Sequence, residues 1–390
     1  MLKPLSAKNK LIYAITSLIL ALSFNVKSEP VACNWPQWQS FKQDFISQQG
    51  RVIDLGSKED ITTSEGQSYA LFFALLANDK AAFDRLLKWT EQHLAEGDLS
   101  TRLPAWKWGK NKNDQYQILD SNPASDSDLW IAYTLAQAAN VWQDRYYDVL
   151  ASVMAMRILR EEVSYIDTLG WTLLPAPYGF ENKNSVKLNP SYSPLFISRY
   201  FAKRFPDSHW PKLHQSSTQL LLKSTQNGAA ADWLNYSPEK GIFYNKSATE
   251  QGSYNAIRVY LWNNISPNIT ANPNTKNDTI KQQLNTHFMP LADKIVSLGF
   301  MPEYISATDL SYQGVGPVGF QMAVAPMLKE LKPEFFKSFI EKINTGQFGE
   351  NKGRYYDSVL SLFSQSVLTQ RFVINQAGET IPHWLNKACN

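Results

Sequence analysis

The chain has 390 residues, 44% of them hydrophobic and 19% charged, which is enough for one large folded domain or two average ones. Lys and Arg (38) nearly balance Asp and Glu (35), and no basic block stands out, which argues against nucleic acid as a partner. Two cysteines and five histidines with no helix-spaced pair argue against a metal centre, and no cofactor-binding motif is visible.

Residues 1–28 have the pattern of an export signal. Lys3, Lys8 and Lys10 precede the uncharged apolar run Leu11–Phe24, and Val26-Lys27-Ser28 offers a cut site. The run is short beside the ~20 residues that a membrane span needs, so no stable span is expected. The chain is therefore expected to be exported, to the periplasm or the medium. Loss of this segment removes four lysines and no acid, taking the formal net charge from +3 to −1. Residues 29–390 are expected to form a single domain, and Cys33 and Cys389, at its two ends, to form a disulfide in an oxidising compartment.

Apolar periodicity predicts helices throughout. In chain order these are Trp35–Gln48, Glu65–Ala77, Ala81–Leu94, Asp126–Gln143, Arg145–Tyr165 and Pro194–Arg204. Trp210–Thr225, Tyr254–Trp262, Ile280–Leu298, Val318–Leu331, Phe335–Asn344 and Tyr355–Arg371 follow. Twelve successive helices fit an all-α fold, either six hairpins closed into a ring or an open stack. The segments Ser100–Ser125 and Thr168–Pro194 read as long loops rich in Pro, Asn, Gly and aromatics, where functional residues concentrate.

Two carboxylate sites open predicted helices. Glu65 follows the good N-cap types Thr63 and Ser64, and Gly66 beside it lets a ligand approach the backbone. Asp126 and Asp128 follow Ser125 and point in different directions, so one of them, taken as Asp126, is expected to face a ligand. Each could instead only complement a helix dipole. Aromatics crowd these acids. Trp106 and Trp108, in a loop with Pro104 and Gly109, are expected to touch a ligand, whereas Trp130 on a helix is expected in the core. Two acids beside a stack of rings suit cleavage of a glycosidic bond.

These residues fall in three motifs: Thr63-Ser64-Glu65-Gly66-Gln67-Ser68-Tyr69, Asn122-Pro123-Ala124-Ser125-Asp126-Ser127-Asp128, and Ser253-Tyr254-Asn255-Ala256-Ile257-Arg258. In this order they resemble glycoside hydrolase family 8, over almost the whole of Cys33–Cys389. Ala32-Cys33-Asn34-Trp35-Pro36, Leu103-Pro104-Ala105-Trp106 and Gly314-Val315-Gly316-Pro317-Val318-Gly319 resemble most the periplasmic endoglucanases that accompany bacterial cellulose synthesis. The resemblance implies an (α/α)6 barrel and an inverting endo-β-1,4-glucanase acting on β-1,4-glucan, linked to the cellulose-synthesis machinery. It implies Glu65 as general acid and Asp126 as the holder of the distorted sugar. Trp106, Tyr254, Tyr355 and Tyr356 would form an aromatic wall, and Arg258 would orient its neighbours. Asn255 departs from the pattern, because many members carry there the Asp that activates water. An amide cannot take that proton. Glu250 or Asp309 could replace it, Asn255 could only position water in a weakly active enzyme, or the protein could bind glucan without cutting it.

Overall fold

The computed structural model describes residues 34–244, 250–268, 279–350 and 353–385. The export-signal segment, Cys33 and Cys389 lie outside them. The chain divides into Met1–Ala32 and Cys33–Asn390, and the described residues all belong to the second unit.

Twelve α-helices occur among the described residues. They are α1 (Pro36–Phe45), α2 (Ser64–Leu76), α3 (Lys80–Leu94), α4 (Ser125–Trp142), α5 (Arg145–Glu161) and α6 (Leu195–Arg204), then α7 (Trp210–Ser224), α8 (Ile257–Ile265), α9 (Ile280–Leu298), α10 (Val318–Leu331), α11 (Pro333–Asn344) and α12 (Tyr355–Leu368). Even-numbered helices are the inner ones. Every residue of α8 and all but Glu65 of α2 are buried, as expected of helices apolar on all sides. Odd-numbered helices are amphipathic and lean on them: α3 on α2, α5 on α4, α7 on α6 and α11 on α10. The result is an (α/α)6 barrel. Its axis is filled by rings from four inner helices. Trp130 of α4 lies 5.1 Å from Trp262 of α8, and Phe363 of α12 lies 4.6 Å from Phe73 and 5.1 Å from Tyr69 of α2, so α12 meets α2 and closes the ring. Trp130 is in this core, as expected from its place on a helix.

Between the helices, among the described residues, lie thirteen short strands in five antiparallel sheets. β1 (Thr62–Thr63), β2 (Lys107–Lys110) and β3 (Tyr116–Asp120) form one; β4 (Val163–Ile166) and β5 (Gly170–Leu173) another; β6 (Val186–Leu188), β7 (Leu234–Ser237) and β8 (Gly241–Phe243) a third. β9 (Gln251–Gly252), β10 (Pro302–Ser306) and β11 (Tyr312–Val315) follow, then β12 (Phe372–Ile374) and β13 (Thr380–Pro382). Of the two segments read as long loops, Ser100–Ser125 thus contains the β2–β3 hairpin, and Thr168–Pro194 contains β5 and β6, which pair with β4 and β7 outside it. The helix expected to run to Tyr165 stops at Glu161, because Val163-Ser164-Tyr165-Ile166 pairs with Gly170–Leu173 across a turn with Thr168 at φ 60°. β-branched and aromatic side chains in that stretch favour the pleated strand.

The start of α2 is locked by a buried glutamine. Gln67 Oε1 accepts from Val52 N at 2.6 Å, and its Nε2 donates to Gly50 O at 3.1 Å and Thr90 Oγ1 at 3.0 Å. One side chain therefore pins the 50–52 segment and α3 to the helix that carries Glu65. We predict that Gln67→Ala, which strands these buried partners, costs about 3 kcal/mol in urea unfolding; a loss under about 0.5 kcal/mol would contradict this role.

Candidate active site

Two carboxylates meet because the sheet β1–β2–β3 brings two helix starts together. Ser64 N donates to Trp106 O at 3.0 Å, and Trp106 N donates to Asn122 O at 2.9 Å. Trp106 is thus held between the segments that lead into α2 and α4. Thr63 caps α2, its Oγ1 accepting from Gly66 N at 3.0 Å, which places Glu65 in the first turn. Asp126 occupies the first turn of α4. Glu65, Asp126, Trp106, Ser127 and Tyr192 line one open cavity of about 140 Å³.

Arg258, from the first turn of α8, reaches under this cavity and is only 2% exposed. Its Nη1 donates to Glu65 Oε2, to Asp126 Oδ2 at 3.0 Å and to Tyr69 Oη at 3.0 Å; its Nη2 donates to Asn255 Oδ1 at 2.8 Å. One guanidinium therefore binds residues from all three motifs. Burial pushes the Glu65 carboxyl up to about 7 against the opposing charge of Arg258, with Asp126 adding to the rise. Glu65 still keeps 24% of its side chain exposed to the cavity. A carboxyl that is protonated near neutrality and open to ligand has the property of a general acid.

Asn255 sits where the turn before α8 is tied down. Asp232 Oδ1 accepts from the backbone N–H groups of Ser253, Asn255 and Ala256 at 2.8, 2.9 and 2.7 Å. Gly252 in the same turn lies so close to Ala230 that a Cβ would fall 2.1 Å from its carbonyl oxygen. These bonds also explain why α8 starts at Ile257 rather than at the expected Tyr254. Asn255 Oδ1 accepts from Asn189 Nδ2 at 3.0 Å as well as from Arg258. Asn189 Oδ1 is itself engaged by Ser191 N and Oγ, so its amide nitrogen must face Asn255. The Asn255 oxygen is thus committed to donors, and its NH₂ is what remains to orient a water.

Neither replacement base reaches this network. Asp309 is exposed on a turn, where bonds from Ser311 and Ser306 hold its carboxyl down to about 2. Glu250 is joined to the same turn, its carbonyl accepting from Ala307 N at 2.8 Å. Among the described residues, neither side chain bonds to Glu65, Asp126, Arg258 or Asn255.

The aromatic wall differs in detail from expectation. Tyr254 is exposed, its hydroxyl donating to Glu303 Oε1 at 3.1 Å, and Tyr356 donates to Tyr254 O at 2.6 Å. Tyr355 is not on an open wall. It packs between Phe41 and Phe45 of α1, 7% exposed, with its hydroxyl against Gly66, where a Cβ would lie 2.7 Å from it. Trp108 is also turned away from the cavity. The register shifts between Lys107 and Trp108, and this irregularity sends Trp108 onto Tyr116, Arg51 and Trp89. Phe180 and Trp233 stack at 5.7 Å and continue to Tyr192 at 6.0 Å, extending the rings from the cavity. They were missed because nothing in sequence marks which loop aromatics a β-hairpin turns inward.

Asp128 lies beneath the site, 0% exposed, paired with Glu162, also 0% exposed. No cation partners either carboxyl among the described residues. Burial, together with the nearby acids Asp126 and Glu161, raises both well above the ordinary range, so the pair keeps a proton at pH values where a free carboxyl has lost it. Its contribution to stability is full below the ordinary carboxylate pKa and is lost as pH rises toward the pair's own. We predict that wild-type stability falls with rising pH above about 5, by up to about 1.4 kcal/mol per pH unit per proton. The double variant Asp128→Asn/Glu162→Gln, an amide pair of the same shape, should have a flatter slope in urea melts at stepped pH. An unchanged slope would show that the pair does not hold the proton.

Comparison with known proteins agrees with this geometry. The model of glycosyl hydrolases family 8 matches residues 9–370. An endoglucanase of Escherichia coli K12 is 39% identical over 382 residues, 98% of this chain and 99% of the relative. The crystal structure of an endo-1,4-D-glucanase from Vibrio fischeri superposes with a TM-score of 0.82 at 41% identity, covering 90% of this chain and all of that one. A family 8 endoglucanase from Klebsiella pneumoniae gives a TM-score of 0.68 at 25% identity, covering 86% of this chain and all of that one. The chain belongs to glycosyl hydrolase family 8, a family of inverting glycoside hydrolases.

Proposed function

We propose that the protein hydrolyses internal bonds of β-1,4-glucan with inversion. The observation that carries this reading is Glu65, its carboxyl raised by burial to about 7, facing a cavity that Asp126 and Trp106 share. Glu65 donates its proton to the leaving glycosidic oxygen. Asp126 shares one guanidinium nitrogen with Glu65, so the two oxygens bound there are at most about 6 Å apart, a close spacing beside the ~6.5–9.5 Å between the carboxyls of an inverting pair. Asp126 holds the sugar beside the scissile bond, while Trp106 and Tyr192 offer it apolar faces.

The water lacks a strong base. Asn255 orients it but takes no proton, so the hydrolytic step is slow. A second reading, a glucan-binding protein of weak or no activity, draws on that same side chain. The proposal extends to location. Lys3, Lys8, Lys10 and the apolar run Leu11–Phe24 support export, to periplasm or medium. The resemblance to endoglucanases that accompany cellulose synthesis supports work on nascent cellulose beside that machinery.

Carboxymethylcellulose and cello-oligosaccharide assays test this. Wild type is expected to cut slowly and Glu65→Gln not at all, with binding retained. Asn255→Asp should raise kcat by about 10²–10⁴-fold. Binding without cutting in wild type, with hydrolysis gained in Asn255→Asp, would favour the second reading. Absence of any glucan binding would remove both.

A further inference from the structure

A second concave site lies on the other side of the segment that Gln67 pins. Its cavity of about 530 Å³ is lined by Arg51, Arg85, Lys88, His93, Gln49 and Trp89 among others, and no carboxylate lines it. That volume is within the range of pockets that take small organic ligands. Its walls are rigid. Gly50, at φ 94°, packs so closely on α3 that a Cβ would lie 2.3 Å from Arg85 O, and Gln67 ties both walls together.

The charge of this site is only partly answered: the Asp60 carboxylate, bound to Lys110 and Tyr116 outside the pocket lining, acts on Arg51 alone. Arg51 is only 9% exposed, stacked on Trp108 at 4.5 Å and Tyr116 at 4.8 Å. Its Nε donates to Thr62 Oγ1 at 2.9 Å and its Nη2 to Asp60 O, so its hydrogen bonds go to neutral oxygens. Arg85 and Lys88 are one helical turn apart on α3 and exposed. Among the described residues none of the three cations has a carboxylate within ion-pair distance. The acids nearest in sequence are occupied elsewhere: Asp84 with Lys80, Glu91 with Tyr146 and Asp54 with Gly56 N. Arg85 and Lys88, two exposed cations without a carboxylate in ion-pair distance, share one rigid hollow with Arg51, and an anion between them would relieve their repulsion. Guanidinium forks and an ammonium suit a tetrahedral oxyanion. Trp89 and Gln49 leave room for an organic remainder.

We propose that this pocket binds a phosphate-class oxyanion, either free phosphate or the phosphate of a small organic ester. The site is separate from the cavity of Glu65 and does not depend on the glucanase reading. The test is calorimetric titration at low ionic strength with inorganic phosphate, pyrophosphate and glucose 6-phosphate, with glucose as the neutral control. Wild type is expected to bind at least one phosphate species with a dissociation constant of about 1 mM or tighter, weakening as salt is added. Arg85→Gln/Lys88→Gln should lose about tenfold or more in that affinity while its melting curve and glucan cleavage stay as in wild type. Tighter binding of glucose 6-phosphate than of phosphate would point to an ester, equal binding to phosphate alone. No binding of any phosphate species, or binding undiminished in the double variant, would overturn the proposal.

Discussion

The site depends on one buried guanidinium. Arg258 is surrounded by protein, and its guanidinium is held by Asp126, Glu65 and the side-chain oxygen of Asn255. A buried cation with its partners removed is severely destabilising, so the three motifs must meet for the barrel to close around it. The same contact separates the roles of the two acids. Two carboxyls on one nitrogen cannot both keep a full charge away from water without cost, and burial raises the Glu65 carboxyl to about 7. Structure and chemistry thus rest on a single electrostatic arrangement.

Much of this arrangement was legible in sequence, because it is built at helix starts. Apolar periodicity marked all twelve helices, and Glu65 follows a recognisable capping residue, Thr63, whereas α4 starts after Ala124 with no side-chain cap. The inner helices were visible as runs apolar on every face, such as α2 and α8. What could not be read were features set by partners distant in the chain. Trp106 and Trp108 look alike in sequence, yet one irregularity in the β2–β3 pairing places them on opposite sides. Tyr355 and Tyr356 are adjacent, but α12 turns the first toward α1 and the second toward Tyr254. The Asp128–Glu162 pair joins two helix ends 34 positions apart, and neither residue carries a local sign of burial.

Asn255 shows how a catalytic scaffold can be kept while one step is weakened. The amide accepts from Arg258 and Asn189, contacts that a carboxylate oxygen could accept equally well. Its backbone is held by Asp232 whatever the side chain. Folding therefore exerts little pressure on the choice between amide and acid at this position, whereas proton transfer distinguishes them sharply.

The most direct measurement is the titration of the Glu65 carboxyl itself, by carbon NMR of labelled protein with Glu65→Gln to assign the signal. The account predicts a midpoint near 7, raised by burial from the ordinary 4.5. A midpoint at the ordinary value would mean that Glu65 is a charged partner of Arg258 and not a proton donor, and the central claim would be wrong.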